Sequence, residues 1–202
     1  MNTIYIQILS NNLWTTKGSR FTAHSRLMAK HRISNITVGI LSCYLIILGL
    51  LSVYNLIDTK QIDSNLLAFG STSISVLVLF FSQIESANDY KIRALQHHAC
   101  SLKIDKLYRT IKNFKSNPTE EEVLIFCKKM NGKYHKILKN FDNHKTIDYN
   151  KFKSSYRSDF KVSKSNAIVY KIIYYIDIYW LYSLLIITPL IGFFWILFLV
   201  KK

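Results

Sequence analysis

Two uncharged runs, Ile36 to Ile57 and Leu66 to Ile84, stand eight residues apart in a chain of 202. At about 1.5 Å per residue, either run as a helix can cross a hydrocarbon core of roughly 30 Å, and neither contains Asp, Glu, Lys or Arg. Lipid offers the backbone no hydrogen-bond partner, so these segments read as helices although Ile, Val, Ser and Thr abound in them. A third apolar run, Trp180 to Val200, is long enough to span as well. About ninety residues remain between the second and third runs, enough for one small polar body. The expected fold class is therefore an all-α membrane protein: an N-terminal amphipathic helix within 1–35, a transmembrane hairpin with spans 36–57 and 66–84, a helical body at 85–177, and a C-terminal hydrophobic helix at 178–202. The polar, basic stretch before the first span, with no small-residue cleavage site after it, is unlike a signal peptide, so the first span is expected to stay in the mature chain.

The net charge of +15 is unevenly placed. Residues 1–35 hold Lys17, Arg20, Arg26, Lys30 and Arg32 and no acid, the loop at 58–65 holds one Lys and two Asp, and 85–177 holds nineteen Lys or Arg against ten acids. By the positive-inside rule the N-terminus and the basic body are expected in the cytoplasm, giving a multi-pass membrane protein. The third span then leaves Lys201 and Lys202 outside, against the rule. Pro189 and Gly192 mark where that helix could kink or re-enter.

At 100° per residue, Ala68, Ser71, Ser75, Val78 and Ser82 form a narrow small and polar stripe on the second span, opposite Phe69, Leu77, Phe80 and Ile84. Either the stripe packs against a neighbouring helix, or several copies turn Ser71, Ser75 and Ser82 onto a water-filled path. Gly39, Ser42, Cys43 and Gly49 give the first span a small face suited to helix packing. Gln83 and Glu85 at one end and Asn55 and Asp58 at the other are pore-mouth candidates, or simply solvated helix ends. One hairpin encloses no aqueous path, so conduction requires a homo-oligomer within the lipid bilayer.

Without Gly or Pro after Ile84, the second span is expected to continue as a helix to Phe114, with an apolar stripe of Ile92, Leu95, Ala99, Leu102, Leu107, Ile111 and Phe114. Asn117-Pro118-Thr119-Glu120 reads as a helix start, with Asn117 as cap, and the new helix should reach Phe141. Its stripe is Val123, Phe126, Cys127, Met130, Tyr134, Ile137, Leu138 and Phe141; Phe126, Met130, Tyr134 and Ile137 are the partner-docking candidates. Residues 142–165 read as a loop with short helical pieces. A helix resumes after Ser165 or Asn166, with a tyrosine-rich collar suited to a membrane interface.

Chemistry at a site has little support. The three cysteines are an odd count without C-x-x-C spacing, and neither they nor the histidines suggest a metal. No phosphate-cradling Gly loop, G-x-S-x-G or H-E-x-x-H occurs, so neither an enzyme nor a cofactor is expected. Asn143, His144 and Asp148 form the one tempting polar constellation, best read as fixing a loop. Anionic headgroups account for the basic residues better than direct nucleic-acid binding, since no recognition motif accompanies them.

The pattern Trp14, Lys17, Arg20, Ala23, Arg26 and Leu27 before the first span, the close hairpin, Leu95, Cys100 and Leu107 after it, and Tyr134 with Asp142-Asn143-His144 and Asp148 resembles a SLATT domain over roughly residues 8–153. The likeness is closest to the subgroup encoded beside reverse transcriptases. It implies a bacterial antiphage effector that oligomerises and permeabilises the membrane when a companion senses infection, here a reverse transcriptase with its RNA or DNA product. It supplies no catalytic residues. The minimal family has two spans, so the third run is a departure. A membrane anchor that recruits a partner without conducting is the alternative.

Overall fold

The computed structural model describes residues 2–53, 64–114 and 118–200. They form six helices: α1 (Asn2–Val53), α2 (Ser64–Ala87), α3 (Tyr90–Lys112), α4 (Glu120–Lys139), α5 (Thr146–Ser155) and α6 (Lys164–Val200). No strand occurs among the described residues, and three of the helices are long and apolar enough to cross a membrane. The chain is an all-α membrane protein. It divides into two compact units, one of Met1–Ala29 with Tyr90–Asp177, the other of Lys30–Asp89 with Ile178–Lys202.

In the first unit, the amphipathic start of α1 packs on α3 and α4. Leu9 and Leu13 meet Cys100, Ile104, Leu107 and Ile111 of α3 and Met130 and Tyr134 of α4. Leu13 and Ile104 are fully buried, each contributing roughly 2 kcal/mol by removal from water. The stacking of Phe114 on Phe126 and the Lys103 ammonium 4.9 Å from the Phe141 ring centre show that α3 and α4 run antiparallel. A second cluster ties α5 and its following turn to α1: Trp14 meets Phe152 and Tyr156 edge-on and stacks on Phe160 at 5.5 Å. Gly18 permits this approach, because a Cβ there would lie 2.1 Å from Phe152 Cε2.

The expected continuous helix from the second span to Phe114 is interrupted. α2 stops at Ala87, Asn88 and Asp89 donate back to the carbonyls of Glu85 and Ser86, and Asp89 takes φ 47°. Asp tolerates this left-handed conformation better than most residues, so the break needed neither Gly nor Pro. The expected α3 stripe is also corrected: Ile92, Leu95 and Leu102 are exposed, and the buried face is Ala94, His97, Cys100, Ser101, Ile104, Leu107 and Ile111. The first half of that face meets α1 through polar groups. His24 Nδ1 donates to the Ala94 carbonyl at 3.0 Å, and Ser101 Oγ donates to the Lys17 carbonyl at 3.3 Å.

The stripe on α4 is as expected, but its cap is Thr119, with Asn117 outside the described residues. Thr119 Oγ1 accepts from Glu122 N–H while Glu122 accepts from Thr119 N–H, a reciprocal pair that starts the helix at Glu120. The polar stretch after it holds one short helix, α5, and α6 begins at Lys164 and runs unbroken past Pro189.

Candidate functional site

The second unit contains the membrane helices. Tyr182 of α6 is buried; its hydroxyl donates to Glu85 Oε2 at 2.8 Å and its ring meets Phe81 edge-on, so α6 packs along one side of α2. Tyr44 of α1 reaches the Ile186 carbonyl of α6 at 3.5 Å, and Ser34, Thr37 and Leu41 form the buried side of this part of α1. Thr37 returns its hydroxyl to the Ile33 carbonyl, so the polar group costs little in an apolar setting.

The three serines lie along one side of α2, next to the side that carries Phe81 and Glu85. Ser71 donates to the Ala68 carbonyl and Ser75 to the Ser71 carbonyl, at 3.0 and 2.8 Å. Ser75 is exposed; Ser71 and Ser82 are half-buried. On the opposite side Phe69, Leu77 and Phe80 are 71, 66 and 64 % exposed, as lipid-facing residues should be. Of the mouth candidates, Gln83 is exposed and Glu85 is held by Tyr182; Asn55 and Asp58 lie outside the described residues. Of the small face of the first span, Ser42 and Gly49 are half-buried. Gly39 and Cys43 are exposed, Gly39 and Gly49 have open space where a Cβ would stand, and Ser42 bonds back to the Val38 carbonyl. The buried side of α1 lies elsewhere, on Ser34, Thr37 and Leu41.

In the first unit the docking candidates on α4 are occupied. Met130 and Tyr134 are core residues, Phe126 and Ile137 pack against them, and Tyr134 shares a 2.7 Å hydrogen bond with Thr16. Helical periodicity identified a buried stripe, and its occupants are α1 and α3 of the same chain.

Sequence reading missed a charged hub on α1. Arg26 lies almost wholly buried and grips Asp148 with two bonds, Nε to Oδ1 at 2.7 Å and Nη2 to Oδ2 at 3.0 Å, while Nη1 reaches Asp177 at 3.2 Å. Asp148 also accepts from the Lys145 N–H at the start of α5. Arg20, 2 % exposed, donates to the Asp142 carbonyl at 2.6 Å. Burial and the Arg20 charge keep two nearby imidazoles neutral: His97 is pushed down to about 4 and His144 is lowered too. Asn143 accepts from the His144 N–H, so the polar constellation fixes the turn between α4 and α5, as its residues suggested. On the unit's flank Lys17 and Arg109 share Asp105, whose carboxyl they hold below the usual range. Among the described residues no group of His, Cys, Asp and Glu could hold a metal.

A basic helix whose arginines turn inward onto a loop carboxylate, continuing into uncharged spans, matches one known sequence profile over residues 3–195. The chain belongs to the SMODS and SLOG-associating 2TM effector domain family 5. No curated protein and no solved structure matches it. As a family member it is a membrane effector domain, and the matched residues include α6 up to position 195 as well as the hairpin. The third apolar helix thus lies within the family's own extent. The residues that carried the resemblance now have places: Trp14, Arg20, Arg26, Cys100, Tyr134 and Asp148 join α1 to α3, α4, α5 and the turn before it, with Ala23 buried beside them and His144 half-buried. Of the rest, Leu95, Asp142 and Asn143 are exposed, Leu95 by 52 %.

Proposed function

We propose that this chain is the pore-forming effector of a bacterial antiphage system, assembling in the inner membrane and depolarising it when a companion detects infection. The observation that supports this most is the serine side of α2, exposed at Ser75 and half-buried at Ser71 and Ser82. Ser75 is exposed and its hydroxyl is satisfied by its own helix, so the face can border lipid in a resting state or water between copies without breaking a bond. No reaction is assigned to the chain. The N-terminus and the basic first unit face the cytoplasm in this reading, where the companion is a reverse transcriptase with its RNA or DNA product. Reversing a 1:99 closed-to-open balance requires a trigger to favour the open assembly by about 5.5 kcal/mol, within reach of one binding partner.

Dye-loaded liposomes containing purified protein, with and without the companion, test the reading. Replacing Ser71, Ser75 and Ser82 with Leu should abolish leakage and killing. Leucine strengthens insertion, so a silent variant that is still integrated has lost conduction rather than its place in the bilayer. Undiminished leakage overturns the lining assignment; killing without any leakage favours an anchor that recruits a partner.

A further inference from the structure

Two apolar surfaces of the first unit are left uncovered by the chain, and they carry opposite charges at matching ends. On α3, Ile92, Leu95 and Leu102 are 55, 52 and 51 % exposed and share one face with Lys106 and with Arg109, whose Nε holds Asp105 while its side chain stays 77 % exposed. Between α1 and α4 lies a groove of about 710 Å³ lined by Tyr5, Ile8, Leu124 and Cys127, rimmed by Glu120 and Glu121 at one end, with Lys128 one turn beyond Leu124 on the side away from them. Tyr5, Ile8 and Leu124 are 55, 53 and 65 % exposed. In a chain of net charge +15, with Asp105 and Asp148 held by Lys17, Arg109 and Arg26, this rim is an exposed acidic patch.

The registers agree. Because α3 and α4 are antiparallel, Lys106 and Arg109 stand at the same end of the unit as Glu120 and Glu121. Leu102 precedes Lys106 by four residues and Leu124 follows Glu120 by four, roughly 6 Å along each axis. A second α3 laid antiparallel to α4 therefore brings leucine to leucine and cation to anion together, with both copies pointing the same way, as a shared membrane demands. We infer that the α3 stripe of one copy seats in the α1–α4 groove of the next. A basic helix from another protein would fill the groove but leave the stripe bare; a second copy covers both. The two surfaces differ, so the contact is heterologous and repeats from copy to copy until a ring closes. This rests on the pore reading for its purpose, and on the two surfaces for its location.

Cys127 is a natural reporter in the groove. In vesicles carrying the full chain with Cys43→Ala and Leu102→Cys, a short bismaleimide should join position 102 of one copy to Cys127 of the next and give a ladder of multimers on denaturing gels. Glu120→Lys with Glu121→Lys should weaken the ladder about tenfold, as should Lys106→Glu with Arg109→Glu, and a chain carrying all four changes should regain it. Recovery in the combined variant also shows that the single-side variants fold. A ladder indifferent to the reversals, or not restored by combining them, overturns the inference. So does the absence of a ladder, whether Cys127 is shielded from maleimide in cells, which assigns the groove to another protein, or reacts freely, which leaves it open. Dye release from the same vesicles separates the two readings: leakage without a ladder removes this interface and spares the pore, while a ladder without leakage keeps the interface and removes the pore.

Discussion

Replacing Asp148 with Ala should open the first unit by about 4 kcal/mol. Asp148 is fully buried, receives two bonds from Arg26 and caps the Lys145 N–H. Removing one partner of a buried ion pair costs about 3–5 kcal/mol, because the other charge stays behind without compensation. Here Asp177 still touches Arg26 at 3.2 Å with its side chain 30 % exposed, which places the loss at the lower end, near 3 kcal/mol. The lost cap adds about 1 kcal/mol. Cys100, wholly inaccessible in the core, reports the opening. With Cys43 and Cys127 replaced by Ser, the rate at which Cys100 reacts with a maleimide in detergent tracks the open population, and 4 kcal/mol corresponds to about a thousandfold faster labelling. Asp148→Asn keeps an acceptor for the cap and should give roughly a hundredfold. Arg26→Met combined with Asp148→Leu should recover much of the loss, since apolar side chains of similar size do nearly as well in such a place. An Asp148→Ala rate within tenfold of the parent would show that the pair does not hold α1 to α5, and the reasoning fails.

Two further outcomes follow from the same unit. The His97 imidazole accepts a proton only near pH 4 in the folded state but at about 6.5 when unfolded, so its contribution is fully present above 6.5 and declines as pH falls towards 4. The decline amounts to about 3 kcal/mol, with His144 acting in the same direction, and His97→Gln should flatten the Cys100 labelling profile between pH 7 and 4.5 once each rate is divided by that of the denatured chain at the same pH, which removes the thiolate's own titration; an unchanged slope refutes it. Gly18→Ala should destabilise the unit by about 1–3 kcal/mol through the clash with Phe152, and Phe152→Leu in the same chain should return part of it, read by thermal unfolding in detergent.

The spans and the α4 stripe were legible because each depends on one strong periodic or compositional signal. The α3 face was not. Its outward positions carry Ile92, Leu95 and Leu102, while the positions turned to α1 are Ala94, His97 and Ser101, so apolar periodicity selected the wrong side over the first half of the helix and the right one only from Leu107 and Ile111 onward. Arg20 and Arg26 were counted as exposed charge because their partners, the Asp142 carbonyl and the Asp148 carboxylate, lie more than a hundred residues away. A signal was present: Leu13, Arg20 and Leu27 recur every seven residues, which puts an arginine on the apolar line of α1. The serine stripe could be placed on a helix face from sequence, but not its bonds to its own backbone, which depend on rotamers.

The inward-turned arginines act at two different times. While the chain emerges and the insertion machinery decides which flank stays behind, Arg20 and Arg26 count by sign alone, as two of the five cations ahead of the first span. Once the unit has packed they are interior groups, 2 and 3 % exposed, and no headgroup can reach them. Substituting Arg26 with Leu therefore mixes a topogenic error with a folding defect. Lysine at the same position keeps the sign seen by the translocation apparatus and removes only the planar fork, so it separates an upside-down molecule from a loosened one.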